Sequence, residues 1–200
     1  MRLIRAVSSA ILAIFIAGAT PSFAASPIGL EPSVPRAYNG ARKAAPMAFL
    51  EFCIRYASHC APTRGRAGEV TRSGAVKANA GRFGELQAIN RSVNQAIRPV
   101  SDATQYGVKD RWRVGVARGD CEDYVLEKRR RLIARGWPSS AVLIALGRAR
   151  GQQHAVLIAR TSEGDYVLDN LTGEVLPIRR AHISISQVQS PDNPRIWRSF

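Results

Sequence analysis

The hydrophobic rhythm of this chain changes once, at Gly136 and Pro138, and that change limits the folds open to it. Before the break, apolar residues recur at helical spacing; after it, they come in short, partly β-branched runs. Phe49, Phe52, Cys53 and Tyr56 share one helical face, with Pro46 suited to the first turn. A longer helix fits Phe83, Leu86, Ile89, Val93 and Ile97, and stops at Pro99. Asn90 and Asn94, one turn apart on it, read as a solvated edge, because asparagine is commonest where water reaches it. Residues 61–74 form a polar loop, and 101–119 look irregular. A third helix begins near Asp120 and runs to about Arg135. Strand-like runs follow at Ala141–Leu146, Ala155–Ala159, Tyr166–Leu168 and Val175–Ile178. Helices first and strands later predict an α+β domain with an antiparallel sheet.

The ends of the pattern define the domain. Arg2 and Arg5, the apolar run Ala10–Ala17 and the small residues Ser22-Phe23-Ala24 make residues 1–24 a signal peptide, cut near Ala24. The apolar run is short for a membrane span and is soon broken by Pro21, which leaves a retained anchor as the minority reading. Residues 25–45, rich in Pro, Ala and Gly, are an extended or mobile lead-in, and 46–200 are one domain with a core of its own. Export then places the protein in the periplasm or outside the cell. The net charge is +14, of which Arg2 and Arg5 supply two. The arginines are scattered, densest at Lys128-Arg129-Arg130-Arg131, with no interleaved aromatics. That argues against a nucleic-acid partner and for a solvated basic helix face that favours anionic envelope polymers.

Three cysteines divide into two and one. Cys53 and Cys60 are seven positions apart, and an oxidising compartment lets them pair. In an unbroken helix that spacing is about 10.5 Å of rise, whereas disulfide Cα atoms must come within roughly 7 Å. If the bond forms, the helix must end before Cys60; two unpaired cysteines are the alternative. Pairing leaves Cys121 free.

Cys121 lies in Gly119-Asp120-Cys121-Glu122-Asp123-Tyr124, with Asp120 a good N-cap. A helix N-terminus favours the thiolate that a nucleophile needs. The neighbouring carboxylates oppose it, unless they cap the helix or hold a divalent cation such as calcium. His154 starts one strand and Asp169 closes the next, across the turn signal Ser162-Glu163-Gly164-Asp165. An even loop pairs position 154 with 173 or 171 and sets both side chains on one face. With 171 opposite, they are diagonal neighbours about 7–8 Å apart at the backbone. Cys121 as nucleophile, His154 as acid and base, and Asp169 as its orienter make a cysteine hydrolase. Each also has a plain reading: a small buried residue, a strand-end histidine and a turn aspartate.

Those motifs, with His154-Ala155-Val156-Leu157 and Gly164-Asp165-Tyr166-Val167-Leu168-Asp169-Asn170, resemble the bacterial transglutaminase-like cysteine proteinases, which include the LapG-type periplasmic proteases. Weaker echoes are Phe52-Cys53, Ile89-Asn90, Val93-Asn94, Trp112, Gln189-Ser190 and Trp197. The resemblance covers nearly all of 46–200. It implies a papain- or transglutaminase-like core, the triad Cys121, His154 and Asp169, and cleavage of a protein substrate. It also implies calcium beside the nucleophile, on Asp120 and Glu122 with Asp123, a surface adhesin as substrate and a membrane receptor as regulator. The chain departs from the family pattern at Arg111-Trp112-Arg113-Val114-Gly115 and carries Phe83 where a tryptophan is frequent. Two other functions compete. One is an NlpC-type peptidoglycan amidase or endopeptidase, although that kind has Asp-Cys-Ser-Gly where this chain has Asp-Cys-Glu-Asp. The other is a non-catalytic calcium-dependent binding protein on the same scaffold. Trp112 is read as a core tryptophan or a wall of the site.

Overall fold

The computed structural model describes Tyr38 and residues 40–200; the expected signal peptide and most of the lead-in lie outside the described residues. The described end of the lead-in is extended and paired. Its two-residue strand β1 (Arg42–Lys43) runs antiparallel to the last strand of the chain.

Helix α1 (Met47–Arg55) begins after Pro46 and buries Ala48, Phe49, Phe52 and Cys53. It ends at Arg55, and a single 3₁₀ turn, Ala57–Cys60, brings Cys60 back to Cys53. The two form a disulfide with Cα atoms 5.6 Å apart, so the geometric condition set by their spacing is met. Helix α2 (Ala80–Ala96) is capped by Asn79, whose side chain accepts from the Arg82 N–H at 2.8 Å. Strand β2 (Arg98–Pro99) follows. The stretch expected to be irregular holds a short helix, α3 (Asp102–Tyr106), which Ser101 caps and Gly107 ends in the left-handed conformation. The signal for it is present, since Ser101 at an N-cap and glycine past the end bracket a helix even over five residues. Strand β3 (Arg118–Gly119) pairs parallel with β2, and helix α4 (Cys121–Ala134) starts directly after it.

Beyond Gly136 the chain builds most of one antiparallel sheet. Its strands are β4 (Val142–Ala149), β5 (Gln152–Thr161), β6 (Gly164–Leu168), β7 (Val175–Pro177), β8 (Ser184–Gln189) and β9 (Trp197–Ser199). The spatial order is β1-β9-β8-β4-β5-β6-β7. Ala155, Leu157 and Ala159 of β5 join the helix-side core, while Val156 and Ile158 join a second cluster with Leu143, Ala145, Val167 and Val188. Burial on both faces explains why β5 reads as a continuous apolar run rather than an alternating one.

The basic run of α4, expected on a solvated face, divides instead. Lys128 and Arg129 are 0 % and 3 % exposed, while Arg130 and Arg131 stay accessible and pair with Glu127. The helix lies between α2 and β5, so part of its charged surface has to be interior. Arg129 meets this by donating to the Val142 and His59 carbonyls at 3.1 and 2.7 Å, which ties the disulfide turn to the sheet.

Candidate active site

Cys121 occupies the first turn of α4 because Asp120, with extended backbone, takes the N-cap position. The Asp120 carbonyl accepts from the Asp123 and Tyr124 N–H groups at 3.1 and 3.3 Å. The Asp120 carboxylate makes no capping bond and turns away from the helix to accept from the Asp102 N–H at 3.2 Å. Half of the capping expectation is therefore corrected. The helix starts where expected, but the side chain is drawn away by α3.

The sulfur of Cys121 donates to Glu122 Oε2 at 3.1 Å. Burial pushes the thiol up, and the Glu122 carboxylate adds to it, while the Ala155 N–H works the other way. The helix start supplies N–H groups for a thiolate, and the acid next door resists it.

His154 and Asp169 meet as the hairpin parity requires. Leu157 faces Leu168 and Thr161 faces Gly164 around a two-residue loop, so carrying the register onward sets 154 opposite 171. His154 Nε2 lies 2.8 Å from Asp169 Oδ1, which also accepts from the Leu171 N–H at 3.0 Å. Burial disfavours the Asp169 charge, but these bonds, with Lys128 behind, hold the carboxyl below its ordinary range. Cys121 and His154 line one cleft of about 630 Å³, with Trp112, Asp110, Glu122 and Gln187 around it. Trp112 serves in both of its expected capacities, at 2 % exposure against Phe49 and on the cleft wall.

Asn90 and Asn94 are not a solvated edge. Asn90 is 0 % exposed and its Nδ2 donates to the Thr172 and Glu174 carbonyls at 3.0 and 3.4 Å. Asn94 Nδ2 donates to the Asp169 and Thr172 carbonyls, both at 2.9 Å. Four hydrogen bonds thus clamp the loop that carries Asp169. No single-residue signal marks this, because the partners lie some eighty positions away in sequence.

The acidic residues form two overlapping groups. Asp120 and Asp123 come together with Asp102, and Glu122 comes together with Asp102 and Asp110. Asp102, 1 % exposed on α3, has no sequence neighbour in the acidic run and was hidden by the irregular look of its segment. In the first group the ligand-capable oxygens lie within 4.8 Å of one another. Asp102 Oδ1, Asp120 Oδ1 and Asp123 Oδ2 are buried and without hydrogen-bond partners. Burial and mutual repulsion raise the carboxyls: Asp123 is pushed up to about 7, and Glu122 and Asp102 also rise. Three clustered carboxylates, each with one buried oxygen lacking a partner, offer the kind of donors a hard divalent cation takes. Gly119 makes room for them, since a Cβ there would stand 2.1 Å from Asp123 Oδ2.

Legionella pneumophila LapG in a calcium-bound structure superposes with a TM-score of 0.51 at 23% identity, covering 61% of this chain and 71% of that one. A second structure of the same protein gives 0.47 at 24% identity over 56% and 65%, and an EGTA-treated one 0.47 at 26% over 56% and 64%. The first likeness supports the transglutaminase-like fold. No curated protein sequence matches. The family model for the bacterial transglutaminase-like cysteine proteinase BTLCP matches residues 39–200, most of the chain, and the chain therefore belongs to that family of cysteine peptidases.

Proposed function

We propose that this cysteine peptidase is exported and cuts a protein of the cell envelope through Cys121, His154 and Asp169. The observation that carries the reading is the His154–Asp169 bond at 2.8 Å beside the cleft that His154 shares with the helix-start cysteine. Asp169 engages Nε2, which fixes the tautomer and leaves Nδ1 to exchange a proton with the thiol. His154 takes the proton from Cys121 as sulfur attacks the scissile carbonyl, then returns it to the departing amine. The Cys121 backbone N–H, unpaired at the helix start, donates to the oxyanion.

Asp102, Asp120 and Asp123 would hold calcium, with Glu122 and Asp110 beside them. The calcium-bound state of the LapG neighbour and the orphaned oxygens here support this assignment. When bound, the ion supplies positive charge that offsets the carboxylates next to the nucleophile. The family resemblance points to a large surface adhesin as the substrate and a membrane receptor as the regulator. The amino-terminal signal pattern and the Cys53–Cys60 disulfide support export to the periplasm or beyond.

The test profiles which envelope proteins are cut by wild type and by Cys121→Ala, each with calcium and with a chelator. Fragments should appear with wild type and calcium only. Identical profiles for the two proteins would sink the triad, and release of muropeptides without protein fragments would favour a wall hydrolase.

A further inference from the structure

Beyond the His154–Asp169 pair lies a second cavity of about 430 Å³ that the proposed chemistry does not use. Val167, Leu171, Leu176 and Ala181 give it apolar walls, and Asp169 is one of its lining residues. The β4–β8 register, with Arg148 opposite Ser184, brings the β4–β5 turn alongside residues 181–183. The lip is consequently basic. Arg150 and His182 line it, and Arg180 stands exposed just before Ala181. None of these three side chains has a hydrogen-bond or ion-pair partner among the described residues. Asp169, the one carboxylate in the lining, is already engaged by His154 and Leu171.

The backbone adds an independent observation. Arg150 has φ 50°, the one positive φ outside glycine among the described residues, and Gly151 follows at φ 79°. A left-handed conformation costs an ordinary side chain about 1–2 kcal/mol. Asparagine or glycine is the usual occupant of such a turn position. An arginine there makes no internal hydrogen bond or ion pair that offsets the strain, and it lines the cavity that Asp169 also lines.

We infer that this cavity is a substrate subsite for an acidic side chain, on an extended segment of the protein that is cut at Cys121. Arg150, Arg180 and His182 are its anion-binding groups, and the apolar walls take the aliphatic part of the same segment. The inference rests on the triad reading above for its place in the reaction. It gives a use to part of the chain's positive charge, which the chemistry at Cys121 does not need.

Binding is measured on the Cys121→Ala protein by fluorescence anisotropy, with a labelled peptide of alternating Glu and Ala and its Gln-for-Glu counterpart. The Glu peptide is expected to bind about tenfold more tightly at low salt, with the advantage shrinking as salt rises. Arg150→Asn and Arg180→Ser should each weaken it about fivefold. Arg150→Asn should melt no lower than its parent, because asparagine suits the turn. Arg72→Ser, in the loop 61–74, should leave binding unchanged. Equal affinity for the two peptides, full affinity in Arg150→Asn, or equal weakening by Arg72→Ser overturns the subsite. Cleavage separates this from the triad: if Cys121→Ala is inactive but the peptide results fail, the subsite alone falls. If Cys121→Ala still cleaves, the triad falls whatever the peptides do.

Discussion

Replacing Lys128 with methionine should make the domain more stable, by an amount that follows from the lysine's surroundings. Its side chain is 0 % exposed and its Nζ has no hydrogen-bond partner. What compensates the charge is weak: the Tyr124 ring, 5.9 Å from Nζ to the centroid, and the Asp169 carboxylate. Burial lowers the ammonium from 10.5 to about 7, against the pull of Asp169. At about 1.4 kcal/mol per pH unit, wild type gives up about 4–5 kcal/mol at neutral pH to keep this amine inside. Methionine fills similar space with no charge to desolvate. At about 2–4 °C per kcal/mol, the variant should melt some 10 °C higher. The pH dependence carries the sign. An amine with a depressed folded value binds fewer protons folded than unfolded, so wild type loses stability as pH falls from about 10.5 to about 7 and loses no more below that. The advantage of Lys128→Met must therefore grow across that window and then level off. Urea unfolding followed by fluorescence of the buried Trp112, Trp137 and Trp197 measures it. A variant less stable than wild type, or a gain that stays constant over that window, refutes the reasoning.

Four other outcomes follow from the same geometry. Asn94→Ala removes two bonds from the loop behind Asp169, and should cost about 1–3 kcal/mol of stability and lower kcat about tenfold with KM little changed. Unaltered kcat per folded molecule would show the clamp to be structural only. Cys53→Ala with Cys60→Ala should lose about 2–3 kcal/mol, read as a lower urea midpoint; an unchanged midpoint would mean the short closed loop adds nothing. Calcium at a hundredfold excess over its Kd should stabilise wild type by about 3 kcal/mol, and Asp102→Ala should abolish the shift; a melting curve indifferent to calcium and EGTA removes the assignment. Gly119→Ala should mimic Asp102→Ala, because the added methyl displaces the Asp123 carboxylate; retention of the full calcium shift would contradict that crowding.

What could be read in advance depended on how local each determinant is. Helices α1, α2 and α4 announce themselves through apolar spacing, and strands β4 to β7 through short β-branched runs, because burial imprints a period on neighbouring residues. The His154–Asp169 contact was accessible as a parity argument, since a hairpin converts sequence separation into geometry. Strand β8 has a weaker signal, although Ile183 and Ile185 alternate with polar residues; its partners, β4 and β9, come from before and after it in the chain. The burial of Lys128 and Arg129 could not be seen, because a charged run looks the same on an exposed face and between two layers. Asp102 and the two asparagines were invisible for a related reason. Their roles come from what the fold carries to them, and sequence spacing says nothing about partners that arrive from elsewhere.

Residues 100–117 leave the body of the domain at β2 and re-enter it at β3, where Arg98 N–H meets the Ala117 carbonyl at 2.9 Å and Val100 N–H meets that of Gly119 at 3.0 Å. Both legs of this segment are planted side by side, so its two ends are held to each other. Its inner edge is seated on α4 by two backbone donors, Asp102 N–H on Asp120 and Arg113 N–H on Asp123 at 2.8 Å. The same segment carries Lys109, Asp110 and Trp112, which line the cleft. The segment that seats the acidic cluster is thus also one that lines the cleft.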